Sequence, residues 1–140
     1  MTLDELYDEF EHLEDWGDRC DFLIDLGFEL PTMPDASRTE ENRVRGCQSN
    51  VWLIARMTDT ERPVMEIEAD SDAMIVRGLI AVLLMAYSGS SVENVLKVDA
   101  QVIFTRLGLT RHLSIARKNG LAGMVQRIRQ LAALRADAGA

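Results

Sequence analysis

The sequence predicts an α+β fold, a small antiparallel sheet packed with several helices. Three observations carry this. Apolar residues recur at helical spacing at both ends of the chain. Two short β-type runs, residues 51–57 and 64–69, lie side by side in the middle, joined by a short turn. The second alternates strictly, with Met65, Ile67 and Ala69 on one face and Glu66 and Glu68 on the other, so the hairpin has one wet face. At 140 residues and 47% apolar, the chain is sized for one core, and residues 1–140 read as a single domain.

Leu3, Leu6, Tyr7, Phe10 and Leu13 mark the first helix, with Thr2 and Glu5 placed as a capping box. Asp15 can cap a second, whose Trp16, Cys20, Leu23 and Ile24 share a face and which is expected to stop near Gly27. That spacing turns Cys20 toward the core as a small hydrophobe. Residues 30–42, with Pro31, Pro34, Asp35 and Ser37, read as a surface loop.

After the hairpin, Asp70-Ser71-Asp72 reads as the N-cap and first-turn acids of a strongly apolar helix through Ile75, Val76, Leu79, Ile80, Leu83 and Tyr87. Residues 88–91 break it, and a short turn passes through Val95 and Leu96. A helix from about Asp99 to Leu107 ends at Gly108. A last helix carries the stripe Leu121, Met124, Val125, Ile128 and Leu131, and residues 136–140 are expected to fray. Five or so helices therefore surround the hairpin.

The net charge is −8 and unevenly spread. Residues 1–42 hold fourteen acids against two arginines, while residues 106–140 hold seven basic residues against one acid. Phosphate neutralisation needs a sizeable basic face, which argues against nucleic acid as a partner. Complementary docking to a protein suits this polarity, as do two solvated faces of opposite sign. The longest apolar run, residues 78–87, is too short to span a bilayer, and the acidic start does not resemble a secretory signal; a cytoplasmic location without membrane attachment is expected. Two cysteines and two histidines, with no CxxC or HExxH, give neither a disulfide framework nor a local metal site.

Cys47 is the one place where chemistry is plausible. It follows Gly46, which allows a tight turn, and lies between Arg43 and Arg45 on one side and Gln48, Ser49 and Asn50 on the other. Nearby arginines and free amide N–H groups favour a thiolate. Three readings stand. Cys47 is a structural cysteine where a strand begins, a hydrolase-type nucleophile needing a base such as His112, or a thiol that exchanges sulfur. The last needs least machinery and fits the composition best.

Here the sequence resembles the SufE family of sulfur-acceptor proteins. Val44-Arg45-Gly46-Cys47-Gln48-Ser49-Asn50-Val51-Trp52-Leu53 is similar to the family's V-x-G-C-x-S-x-V-W-[LI] signature around its acceptor cysteine. Residues 70–83, DSDAMIVRGLIAVL, resemble its D-S-D-A-x-I-V-x-G-L-x-A-V block. The likeness extends to Leu107-Gly108-Leu109, His112-Leu113-Ser114, Arg117, Asn119-Gly120-Leu121, Trp16 and Leu26-Gly27, and so covers nearly the whole chain. One departure is Ile115, where the family often has proline, implying a looser approach to Arg117.

The resemblance implies the α+β fold shared with IscU-type scaffolds and an acceptor cysteine on a loop able to shield and extend it. It implies that Cys47 takes sulfur from the persulfide of a cysteine desulfurase, stimulates that enzyme, and relays sulfur to an iron–sulfur scaffold complex. Pyridoxal phosphate would belong to the desulfurase, leaving this chain with no cofactor of its own. Arg45, Gly46, Gln48 and Ser49 would surround the thiolate or persulfide. His112 and Arg117 would line the pocket or docking face, and Trp52 would pack beneath the loop. A monomer or weak homodimer is expected. The alternatives are an IscU-like scaffold or metal-binding protein, and an adaptor that activates a desulfurase by docking alone.

Overall fold

Helix formation begins where the capping box puts it. In a computed structural model, which describes residues 1–138, α1 spans Leu3–Glu11 with the Thr2 hydroxyl accepting from Glu5 N and the Glu5 carboxylate accepting from Thr2 N. Leu6, Tyr7 and Phe10 form its buried face. α2, Trp16–Glu29, starts at the Asp15 cap but runs two residues past the expected stop at Gly27. Gly27 does not end this helix; it lets a neighbour approach. A Cβ there would stand 2.7 Å from the Met74 carbonyl oxygen and 2.9 Å from Gly78 N. The buried face of α2 is Leu23, Leu26 and Gly27, and Cys20 is only half-buried.

Residues 30–42 form the expected irregular loop, with one 3-10 turn at Asp35–Ser37. β1, Val51–Met57, and β2, Met65–Ser71, pair antiparallel with Val51 opposite Ser71 and Met57 opposite Met65. Val51, Leu53, Met65, Ile67 and Ala69 are buried, while Arg56 on the wet face reaches Glu66 and Glu68 at 3.6 and 3.5 Å. The alternation is therefore read correctly by its period.

The acidic triplet behaves otherwise than expected. Asp70 and Ser71 finish β2, and α3, Met74–Tyr87, starts from Ala73 without a side-chain cap. Asp70 is fully buried and accepts from Met33 N at 3.0 Å, Ser71 N at 2.8 Å and the Arg38 guanidinium at 2.8 Å, with Arg77 paired to its other oxygen. Burial alone would raise its pKa. The two N–H groups and two arginines outweigh that and hold the carboxyl below the usual range. Asp70 thus ties the 30–42 loop to the sheet and to α3.

Ser91 caps α4, Val92–Lys97, where only a turn was expected; Asp99 caps α5, Ala100–Arg106. Gly108, at φ 78°, turns the chain into α6, Leu109–His112. α7, Ile115–Ala138, completes seven helices among the described residues. Of the expected fraying over 136–140, residues 139 and 140 lie outside the described part, and α7 is helical up to them. α3 packs on α2 and β2, and α7 packs on α4. Tyr87, Phe10, Leu6, Leu23, Leu53, Met65, Leu79 and Leu83 lie at the centre of one continuous apolar cluster. No helix of the described residues is long and apolar enough to cross a membrane.

Candidate functional site

The Cys47 loop is an excursion with a fastened stem. Val44 N donates to Val51 O at 2.8 Å and Leu53 N to Asn42 O at 2.9 Å, so the chain before the loop pairs with the start of β1. Val44 is buried and anchors that side. On the other side Asn50 donates to the Asp72 carboxylate twice, from its backbone N at 3.2 Å and its Nδ2 at 2.9 Å. Between the anchors Gly46 takes φ 86°, in the left-handed region, and a Cβ there would meet nothing within 4 Å. The backbone angle, not crowding, makes glycine the natural residue for this turn.

The turn directs Cys47 toward α7 rather than outward. Its Sγ donates to the Gly120 carbonyl oxygen at 3.5 Å, and the residue is half-buried. It lines a cavity of about 190 Å³ with Gln48, Ser49, Ser114, Arg117 and an apolar wall that includes Val76 and Met124. Burial pushes the thiol pKa up, against a smaller lowering from Arg43. In this loop position burial favours the protonated thiol and outweighs the arginine charge that favours the thiolate.

The predicted site residues divide. Gln48, Ser49 and Arg117 meet Cys47 at the cavity. Arg45 turns away, 77% exposed and paired with Glu40 at 3.0 Å; Arg43 is the arginine whose charge reaches the thiol. His112 is not among the cavity residues and stacks on Trp16, ring centroids 4.8 Å apart at 9°. Trp52 lies under the Arg38 guanidinium at 5.6 Å. Ile115, at the proline position, is the first residue of α7, and the Ser114 hydroxyl caps that helix by accepting from Arg117 N at 3.2 Å. The cap fixes the first turn without a proline.

The sequence places Ser114 and Gly120 on matched stretches and Asp72 in a helix cap without giving any of them a part at the site, and Gly123 is not singled out. Gly120 and Gly123 were visible as costly residues inside a helix, a signal for close packing that was not used. Among the described residues no three His, Cys, Asp or Glu side chains come together as metal ligands.

The described residues form a hairpin wrapped by helices, with the Cys47 thiol lining a small cavity. A family model for SufE, described as an Fe-S metabolism associated domain, matches residues 4–132, and the chain belongs to the SufE family. An uncharacterized SufE-like protein of Rhizobium etli is 47% identical over 138 residues, covering 98% of this chain and 93% of that one. Another, from Rhizobium meliloti, is 46% identical over 129 residues, covering 91% and 92%. The solution structure of a hypothetical protein from Thermus thermophilus superposes with a TM-score of 0.72 at 23% identity, over 94% of this chain and 96% of that one. That likeness speaks for the fold, which is α+β as the sequence predicts.

Proposed function

We propose that this protein is a sulfur acceptor for iron–sulfur metabolism, with Cys47 as the receiving and carrying thiol. The observation that supports it best is the placement of Cys47 on a turn fastened at both ends, its sulfur at a cavity mouth with no histidine beside it. A hydrolase would need a base there, and His112 is committed to Trp16 instead. A sulfur relay needs only a thiol that can be reached and ionised.

The reaction balances without an added oxidant or reductant. The Cys47 thiolate attacks the terminal sulfur of a persulfide on the partner's cysteine. A new S–S bond forms at Cys47 Sγ, the partner's S–S bond breaks, and the partner's thiolate leaves. The partner is a cysteine desulfurase, which holds the pyridoxal phosphate, and the cargo passes on to a cluster scaffold. Gln48, Ser49 and Arg117 supply donors for the anionic persulfide at the cavity. Arg45 is free to exchange Glu40 for a group on the partner, since its pair is exposed.

Two measurements test this against its alternatives. Cys47→Ser should abolish stimulation of a desulfurase's turnover; stimulation that survives makes the protein a docking adaptor. Metal analysis of the isolated protein should find no stoichiometric zinc or iron bound through Cys47; finding it would replace the relay with a scaffold role.

A further inference from the structure

The loop rests on two residues of α7 that have no side chain. Gly120 and Gly123 are three apart and share a helix face. A Cβ on Gly120 would stand 3.4 Å from Cys47 Sγ and 3.8 Å from Cys47 Cα. One on Gly123 would stand 3.0 Å from the Arg45 carbonyl oxygen. Neither glycine has a positive φ, so the backbone does not require glycine at either position. Both sit inside a continuous helix, where alanine is the better helix former. A Cβ on Gly120 would make only ordinary van der Waals contact with Cys47, whereas one on Gly123 would press on the Arg45 carbonyl, so Gly123 is the position the loop crowds. The Gly120 carbonyl also accepts the thiol proton, a contact open to S–H and closed to a thiolate.

We propose that Gly123 is a positioning residue for Cys47: the bare face it gives α7 beside Gly120 seats the loop, and this seating sets how much of the thiol a sulfur donor can reach. The proposal takes its purpose from the relay reading, while its geometry stands alone. The charge that acts on the thiol is Arg43, from the stem, and Arg117, from α7, lines the same cavity. Arg43 lowers the thiol pKa, so its net rise in the seat comes from burial and not from neighbouring charge. Lifting the loop removes that burial and the carbonyl contact together. The thiol then ionises nearer its ordinary value.

The test uses the full chain with Cys20→Ser, leaving Cys47 as the only thiol, and follows iodoacetamide alkylation against pH. Gly123→Ala should raise the rate near neutral pH by about three- to tenfold, while Gly120→Ala, whose Cβ fits beside Cys47, serves as the control and should stay within about twofold of the parent. The midpoint of the Gly123→Ala rate–pH profile should move down toward the free-cysteine value of about 8.5. Circular dichroism melts establish that the variants remain folded, which alanine in a helix favours. A folded Gly123→Ala with the parent's rate and midpoint overturns the proposal, and so does a lower rate. Sulfur loading by a desulfurase is read separately. Loading can persist when the seat idea fails, and the alkylation shift can persist when the relay reading fails.

Discussion

Glycine permits a close approach at two places in this molecule, and the two differ in what they hold. Where α2 meets α3, Gly27 and Gly78 are both buried; a Cβ on Gly78 would collide with the Leu23 backbone, and one on Gly27 with Met74 O. Helix lies against helix there, with Leu23, Leu26 and Leu79 sealed around the contact. At α7, Gly120 and Gly123 face a loop; Gly123 is half-buried, and the nearest atoms are a sulfur and a loop carbonyl. The first contact is part of the core and cannot yield without unfolding. The second, on the proposal above, yields by a movement of the loop between its fastened ends. The same residue type thus joins two core helices in one place and a helix and a loop in the other.

That contrast can be broken from several sides. The largest effect should come from Arg77→Met, which leaves the buried Asp70 carboxylate one arginine short. A loss of about 3–5 kcal/mol in urea unfolding is expected. Gly78→Ala should cost about 3 kcal/mol, because the Leu23 backbone has nowhere to go. Gly120→Ala, by contrast, should be neutral or stabilise by up to about 1 kcal/mol, since the helix gains propensity and the Cβ fits beside Cys47. Equal destabilisation at Gly78 and Gly120 would erase the distinction.

Acid titration probes the core side again. The folded pKa of Asp70 lies below its unfolded value of about 3.9, so its contribution is present above that pH. It is lost as pH falls through the lower, folded value. Asp70→Asn should be less stable at neutral pH and show a shallower loss on acidification below about pH 4. The smallest effect should come from Asn50→Ala, which removes one arm of the exposed clasp to Asp72. Stability should change by less than about 1 kcal/mol, while alkylation of Cys47 speeds up.

Much of the fold was legible because the period of apolar residues is set by the backbone. The β1 limits, the buried face of β2 and the capping box at Thr2 follow directly from spacing. α4 and α6 were not, since helices of six and four residues show too little of their period. The acidic triplet misled because Asp and Ser cap helices so often that a local rule sufficed. Only the tertiary positions of Arg38 and Arg77 reveal Asp70 as an interior ion-pair centre. At the site, Gly46 and Cys47 could be singled out from local chemistry alone. Which arginine faces the thiol could not, because Arg43 and Arg45 are two apart and the turn sends them in different directions. Gly27, where the spacing predicts a helix stop, instead meets Met74 and Gly78 of α3, a contact that no local pattern encodes.

The most direct measurement is the intact mass of the protein after incubation with a desulfurase, pyridoxal phosphate and cysteine, taken without reductant. The account predicts added sulfur that maps to Cys47 and is missing from Cys47→Ser. A Cys47 that stays unmodified while the desulfurase turns over beside it would contradict the claim that this thiol receives the cargo.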